Sequence, residues 1–134
     1  GRIGVKQLFI EITAAADANV TQVQFNTTFT TPVIAVNALG AACASIASVA
    51  AHVRITHVGG AVATAAVITD SAGLTDVETA GKMSILGGEV AAGTNTAGPI
   101  GLLISGATQA ASISATAHLF YVPMSNGAYA TALL

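Results

Sequence analysis

The sequence predicts an all-β protein: a single-domain antiparallel β-sandwich, jelly-roll-like, with about eight short strands. Three observations support this fold. Apolar and polar residues alternate with a period of two in several segments, turn-forming residues separate these segments about every ten positions, and no segment has a convincing helical period. A chain of 134 residues has the length of one domain, so residues 1–134 are assigned to one sandwich.

The clearest alternation lies in residues 23–36. Val23, Phe25 and Phe29 share one face, and glutamine, asparagine and threonine side chains fall on the other, as in a half-buried strand. Pro32 interrupts the segment because proline has no N–H to donate to a central ladder. The pattern restarts at Val33, so the sequence predicts a strand, a corner and a second strand, with the core packed on the phenylalanine face.

The other strands follow the same rule. Strands are predicted at residues 5–13, 20–29, 33–38, 49–58, 61–69, 82–90, 100–105 and 111–122. Gly59-Gly60 predicts a tight hairpin turn, and Ser125-Asn126-Gly127 predicts a turn after Pro123. Residues 14–19 read as a connection, and residues 39–48 as a surface loop or a short helix of small residues.

The composition is unusually poor in charge. Only 7% of the residues are charged, against about 25% in a typical soluble domain, and the 53% that are hydrophobic are mainly small aliphatic residues. A surface of alanine, threonine, serine and glycine with little charge is poorly protected against association. The sequence therefore predicts that much of this surface contacts other copies or other proteins. The formal charge of −2 and the absence of a basic patch argue against a nucleic-acid partner.

Residues 31–51 carry no charge over roughly the length of a membrane span. They contain Pro32, Asn37 and Gly40, and their later apolar residues are mostly alanine, so no spanning helix and no membrane association are expected. No signal-peptide pattern opens the sequence, and whether a segment was removed before Gly1 is left open.

Three histidines are the first candidates for a metal site. His52 and His118 lie on the outward faces of their predicted strands, where they could meet across strands, and His57 lies on the core face near a strand end. No two candidate ligands have a recognisable metal-binding spacing, so the histidines are expected to be structural or solvated.

The carboxylates and the single cysteine give no stronger signal. Asp70, Asp76 and Glu78 form the one acidic cluster, but their spacing does not match a calcium loop, so a solvated loop is expected. Cys43 lies among alanines with no basic neighbour in the sequence and is expected to be a buried, inert thiol. No nucleophile elbow or phosphate-binding loop is present. The sequence predicts no enzyme activity, no cofactor and no metal.

The overall character of the chain resembles the small cement, or decoration, proteins of tailed-bacteriophage capsids. The likeness covers the full length: a chain rich in alanine, threonine and glycine and poor in charge, with strands between residues 5 and 122 and extended, largely apolar ends at residues 1–4 and 128–134. The resemblance implies a non-enzymatic virion protein that binds the outer surface of an icosahedral shell and bridges neighbouring capsid subunits. It also implies the major capsid protein as the partner and assembly in the host cytoplasm.

Two alternatives stay open. One is a subunit of an extracellular filament, in which a terminal strand of one chain completes the sheet of the next. The other is a carbohydrate-binding domain of a phage tail or fibre, because Val23-Gln24-Phe25 and residues 29–33 resemble sugar-binding sandwiches of the H-type lectin kind. The sequence pattern does not supply the aromatic or acidic sugar contacts of that family.

The two ends of the chain are predicted to act as arms in subunit contacts, at residues 1–4 and 123–134. The contact candidates are Ile3, Tyr129, Leu133 and Leu134. Burial of one large apolar side chain contributes about 1.5–3 kcal/mol, so three in the C-terminal arm can offset the ordering of a short segment. A neighbouring subunit is the favoured receptor, in a homo-oligomer and most simply a dimer; the alternative is a pocket in the same domain.

Overall fold

A computed structural model describes residues 1–19, 21–30, 33–58, 65–69, 84–86, 89–91, 94–95, 98–106 and 113–131. In these residues the regular structure is all strand, without helix, and the paired strands are antiparallel, which confirms the all-β prediction. The strands are β1 Ile3–Ala14, β2 Thr21–Thr30, β3 Val33–Ala38, β4 Arg54–Thr56, β5 Val67–Thr69, β6 Ser84–Leu86, β7 Glu89–Ala91, β8 Thr94–Asn95, β9 Ile100–Gly106 and β10 Ser114–Pro123.

Two larger sheets build the fold. The first has the order β10-β1-β4-β5, and β6 also pairs with β1. The second has the order β3-β2-β9, while β7 and β8 form a small ribbon of their own. Strand β10 pairs with β1 along its whole length, so β4 and β6 share the opposite edge of β1. The first strand of the chain is therefore the centre of its sheet.

A bulge in β1 lets the aliphatic side chains on both sides of it face the core. Ile10 and Ile12 are fully buried, and Ile3 and Val5 are also buried although they have the opposite parity. The register with β10 shifts by one residue around Lys6, which is the extra residue of the bulge. An extra residue changes which face the following side chains occupy, so both halves of β1 face the same core.

The core lies between the two sheets. Val23 and Phe25 of β2 are 0% and 2% exposed and face the apolar side of β1, as their alternation predicts. The buried cluster draws its members from both sheets and from the connections: Ile3, Val5, Leu8, Ile10, Ile12, Val23, Phe25, Cys43, Ile46, Ile55, Ala66 and Ala128. The arrangement is that of a β-sandwich-like fold.

Residues 39–46 form an extended connection and not a short helix. Their backbone runs beside β2, where the Cys43 N–H donates to the Val23 carbonyl at 2.9 Å and the Ile46 N–H donates to the Thr21 carbonyl at 2.8 Å. The small residues permit this close approach, and Cys43 and Ile46 turn their side chains into the core.

The strand predicted at residues 49–58 is wrong in its first half, because β4 is confined to Arg54–Thr56. Ser48 and His52 have positive φ angles of 57° and 69°, which a strand does not tolerate. The chain reaches β4 through turns instead, and the Ile12 carbonyl accepts the His52 N–H at 2.7 Å.

Several predicted features lie outside the described residues. They are the Gly59-Gly60 turn, the acidic cluster Asp70, Asp76 and Glu78, and the terminal Leu133 and Leu134. Within the described ranges, no helix has the length and hydropathy needed to cross a membrane.

Candidate functional site

The outer face of the β10-β1-β4 sheet carries an aromatic cluster, formed by Phe9, His118 and Phe120. Phe9 lies opposite His118 in the ladder between β1 and β10, and opposite Thr56 in the ladder between β1 and β4. Residues opposite each other in an antiparallel pair project from the same face. The sheet register therefore brings these rings together on the face turned away from the core.

Phe9 is the centre of the cluster. Its ring stacks on His118 with centroids 4.6 Å apart and planes 14° apart, and on Phe120 at 6.5 Å and 16°. The Arg54 guanidinium carbon lies 5.3 Å from the centroid of the Phe9 ring, within the range of a cation–π contact. These neighbours leave Phe9 only 7% exposed, although Phe120 remains 55% exposed.

Charged groups border the aromatic cluster. Glu11 lies opposite Arg54 in the β1–β4 ladder, and Glu11 Oε1 is 3.1 Å from His52 Nδ1. The His52 side chain is 74% exposed, so this pair adds little stability. Its consequence is local: it places a carboxylate, a guanidinium and an imidazole beside exposed ring surface.

This face has the chemistry to bind a ligand with both an apolar surface and hydroxyl groups. Phe120 offers an exposed ring face, while Glu11 and Arg54 offer an acceptor and donors. His52 is paired with Glu11 and His118 with Phe9, so the two histidines have different partners. Among the described residues, no group of histidine, cysteine, aspartate and glutamate has a geometry that could hold a metal ion.

His57 belongs to the core and not to this face. It is 7% exposed, and its ring lies 6.0 Å from the Phe25 ring at an angle of 58°. Burial lowers the pKa of His57, because the interior disfavours the charged imidazolium. The position agrees with the expectation of a structural histidine on the core face.

Cys43 is also part of the core. The thiol is 1% exposed, and its sulfur accepts the Val23 N–H at 3.2 Å. Burial raises the pKa of Cys43 above its ordinary value, so little thiolate forms near neutral pH. This is the environment of an inert thiol, as the sequence predicts.

The described contact candidates differ in accessibility. Tyr129 is 75% exposed, whereas Ile3 is 8% exposed and belongs to the core of its own chain. The turn after β10 packs against the first residues: Ser125 Oγ accepts the Arg2 N–H at 2.7 Å, and a Cβ at Gly1 would lie 2.7 Å from the Ala128 Cβ. Close packing of this kind leaves no room for a side chain at the first position.

Large exposed apolar side chains gather on the two edge strands and after them. On β9 and β10, and in the segment that follows, they are Leu102, Leu103, Ile104, Phe120, Val122, Met124 and Tyr129. Phe120 and Val122 share the outward parity of β10, so they form an apolar row beside the aromatic cluster. Exposed apolar groups that lie together indicate an interaction surface.

Sequence reasoning missed Phe9 and Phe120, the two phenylalanines outside the segment 23–36. A signal was present in the alternation. Phe9 lies between Gln7 and Glu11 on the polar parity of its strand, and Phe120 shares the parity of His118. A large aromatic residue on a predicted solvent face is unusual enough to indicate a ring cluster or a contact surface.

No family model, curated protein or solved structure matches this chain. The fold therefore rests on the strand pairing and the shared core.

Proposed function

We propose that this protein is a structural virion component, a capsid cement or decoration protein. It binds the outer surface of an assembled shell and bridges neighbouring capsid subunits, and it has no enzyme activity. Its partners are the major capsid protein and further copies of itself, and its location is the outside of the capsid after assembly in the host cytoplasm.

The observation that carries the proposal is the combination of exposed apolar side chains and scarce charge. The surface bears Leu103, Phe120 and Met124 at 48%, 55% and 47% exposure, in a chain with 7% charged residues. Covering such a surface with another protein removes water from few charged groups, so the desolvation cost is small. Each Å² of apolar area that is buried stabilises the complex by about 25 cal/mol. These properties are those of a protein that functions within a stable assembly.

The C-terminal arm is the proposed attachment to a neighbouring subunit. Tyr129 is available for contact because it is 75% exposed. Leu133 and Leu134 complete the apolar set in the sequence. Ile3 supports the arm indirectly, since it pairs with Pro123 at the end of β10.

A jelly-roll-like strand order is part of the same proposal. Strands β1 and β10 pair in one sheet, and β2 and β9 pair in the other, both antiparallel. The first strand pairs with the tenth and the second with the ninth, as in a chain that folds back on itself as a long antiparallel double ribbon.

The aromatic cluster favours carbohydrate binding as a second candidate function. Phe120 presents exposed ring surface beside Phe9 and His118, with Glu11 and Arg54 on the same sheet face. A sugar ring stacks its apolar face on an aromatic side chain and hydrogen-bonds through its hydroxyls. This candidate corresponds to a lectin-like domain of a phage tail or fibre.

One set of measurements separates the candidates. Negative-stain microscopy of the isolated protein should show small particles, and sedimentation should show binding to assembled shells of the virus that encodes the chain but not to its unassembled capsid subunits. Failure to bind those shells contradicts the cement proposal. Long polymers of the isolated protein would support the filament, and binding on a glycan array that is lost in Phe120→Ala would support the lectin.

A further inference from the structure

We propose that two copies of this chain join edge to edge, with β10 of one copy pairing antiparallel with β10 of the second. The inference goes beyond shell binding, because it concerns the free protein and names a surface other than the C-terminal arm. It follows from one side of the sandwich, here called the open side, where β9 and β10 are the terminal strands of their sheets.

The opposite side of the sandwich is closed by the chain itself. The Ala66 N–H donates to the Ala41 carbonyl at 3.4 Å, and Ala41 and Ala65 form a parallel bridge. This bridge joins the connection that follows β3 to the residues that precede β5. Strands β3 and β5 are the other terminal strands of their sheets, so β9 and β10 must share the remaining side.

On the open side, two side chains of β9 project from the core face of their sheet and yet remain exposed to solvent. Leu102 lies opposite Phe25, and Ile104 lies opposite Val23, so both project from the core face of their sheet. They are 36% and 37% exposed, whereas their partners are 2% and 0% exposed.

Strand β10 shows the same disparity on the facing sheet. Ala117 lies opposite the fully buried Ile10, but Ala117 itself is exposed. Both sheets therefore present apolar interior surface to the outside along this side.

The two edge strands also lack the usual protection against pairing. Edge strands are normally blocked by charged side chains, bulges, prolines or short length. Strand β10 has ten residues and β9 has seven, with no lysine, arginine, aspartate or glutamate in either, and the one proline is the last residue of β10. Among the described residues, β1 is the only strand paired with β10 and β2 the only strand paired with β9.

A second copy is the occupant that these properties fit. A two-fold axis brings identical surfaces together, so the surface must not carry net charge of one sign, and β9 and β10 carry none. Antiparallel pairing of β10 with itself satisfies the free backbone groups of both copies. It also brings the exposed Phe120 and Val122 of one copy against the outward-facing residues in the first half of β10 of the other.

The size of the open side is sufficient for a dimer. A ten-residue strand is about 33 Å long and packed sheets lie about 10 Å apart, so the area between the two backbone planes is roughly 330 Å². The exposed part of Phe120 adds about 100 Å², and Leu102, Leu103, Ile104 and Val122 add to this. The total over two copies reaches the roughly 1,000 Å² that a specific interface needs.

Sedimentation equilibrium of the free protein tests the inference. The wild type should show a concentration-dependent monomer–dimer equilibrium without any shell present. In Ala117→Lys an inward-pointing lysine lies on the open side, and the dimer dissociation constant should rise by about a hundredfold or more, because an unpaired charge would be buried. Ala44→Lys is the matched control, since Ala44 is exposed in the connection beside β2 on the closed side, and it should dimerise like the wild type.

Further variants distinguish the β10 interface from a contact made elsewhere on the surface. If Ala117→Lys does not fold by its thermal melt, Ala115→Lys replaces it, since Ala115 is also exposed and lies on the core-facing side of β10, opposite Ile12. A monomeric wild type at millimolar concentration, or unchanged dimerisation in the lysine variant on β10, overturns the inference. Loss of the dimer in Tyr129→Ser but not in Ala117→Lys would also overturn it and assign the contact to the C-terminal arm. Failure to bind a shell has no effect on these outcomes.

Discussion

The Phe9 ring stacks on the His118 ring across β1 and β10, with 4.6 Å between the centroids. With Arg54 on β4 also 5.3 Å from the Phe9 centroid, side chains of three neighbouring strands meet on the outer face of one sheet. A sheet face turned away from the core normally contributes little packing. Here Phe9 is 7% exposed, so the first sheet has a second, smaller apolar cluster outside the main core.

Replacing Phe9 should therefore cost nearly as much as replacing a core phenylalanine. We expect Phe9→Ala to lower the free energy of unfolding by about 3 kcal/mol, because the ring loses its stacking partners and leaves a gap. Phe120→Ala is the matched control, and because Phe120 is 55% exposed its cost should be about 1 kcal/mol. Urea unfolding followed by circular dichroism measures both. Equal costs would show that the outer cluster does not pack as a unit around Phe9.

The bulge at Lys6 gives a sharper prediction. Deletion of Lys6 removes the extra residue and leaves a regular alternation in which Ile3, Val5 and Leu8 still face the core, in the existing register with β10. We therefore expect the deletion to be tolerated, with a loss well below the roughly 3–6 kcal/mol that turning two large aliphatic side chains out of the core would cost. Lys6→Ala keeps the residue count and should change stability by no more than about 0.5 kcal/mol, because Lys6 is exposed. A deletion variant that is several kcal/mol less stable than Lys6→Ala would refute this account of the bulge.

His57 should make the fold sensitive to mild acid. Burial lowers its pKa below the ordinary value of 6.5, so near that pH the unfolded chain binds more protons than the folded chain. This contribution to stability is fully present above about pH 6.5 and is lost as the pH falls below that value. The unfolding free energy should decline from pH 7.5 to pH 5 more steeply in the wild type than in His57→Gln, by at most about 1.4 kcal/mol for each pH unit. Parallel pH profiles for the two proteins would contradict this assignment.

Cys43 should be protected from thiol reagents in the folded protein. Its sulfur is 1% exposed and its pKa is raised by burial, so both access and thiolate formation are restricted. We expect a reaction with Ellman's reagent at pH 8 that is at least about a hundredfold slower in buffer than in 6 M urea. The variant Thr13→Cys, with a thiol at an exposed position of β1, provides the accessible control once Cys43 is replaced by serine. Similar rates for Cys43 in buffer and in urea would show that this part of the core opens readily.

Alternation was a reliable guide where one strand face meets the core. It located β2, β3 and β9 to within a residue or two, because Val23 and Phe25 pack inward while Gln22 and Gln24 do not. It failed at residues 49–53, where apolar residues at alternate positions are buried by turns with positive φ at Ser48 and His52. Periodicity reports which side chains are buried, and turns can bury the same side chains as a strand.

The outer cluster could not be predicted in full because it depends on register. The alternation in the sequence shows that Phe9 and Phe120 lie on the outer faces of their strands. It does not show which strands are neighbours in the sheet. Strand β10 lies beside β1, and Arg54 comes from β4 on the other edge, so the meeting of these side chains is a property of strand order. The same holds for the open side, which follows from the terminal positions of β9 and β10 in the strand order.

The pairing of β1 with β10 also governs when this chain can fold. The central strand of the first sheet is synthesised before β10, the partner that pairs along its whole length and follows roughly a hundred residues later. At about 5–20 residues per second, β1 waits roughly 5–20 seconds with the backbone groups of one edge unpaired. Contacts so distant in sequence also slow folding itself, because a large loop must close before they form. A nascent chain therefore presents an unpaired edge of β1 until β10 has been synthesised.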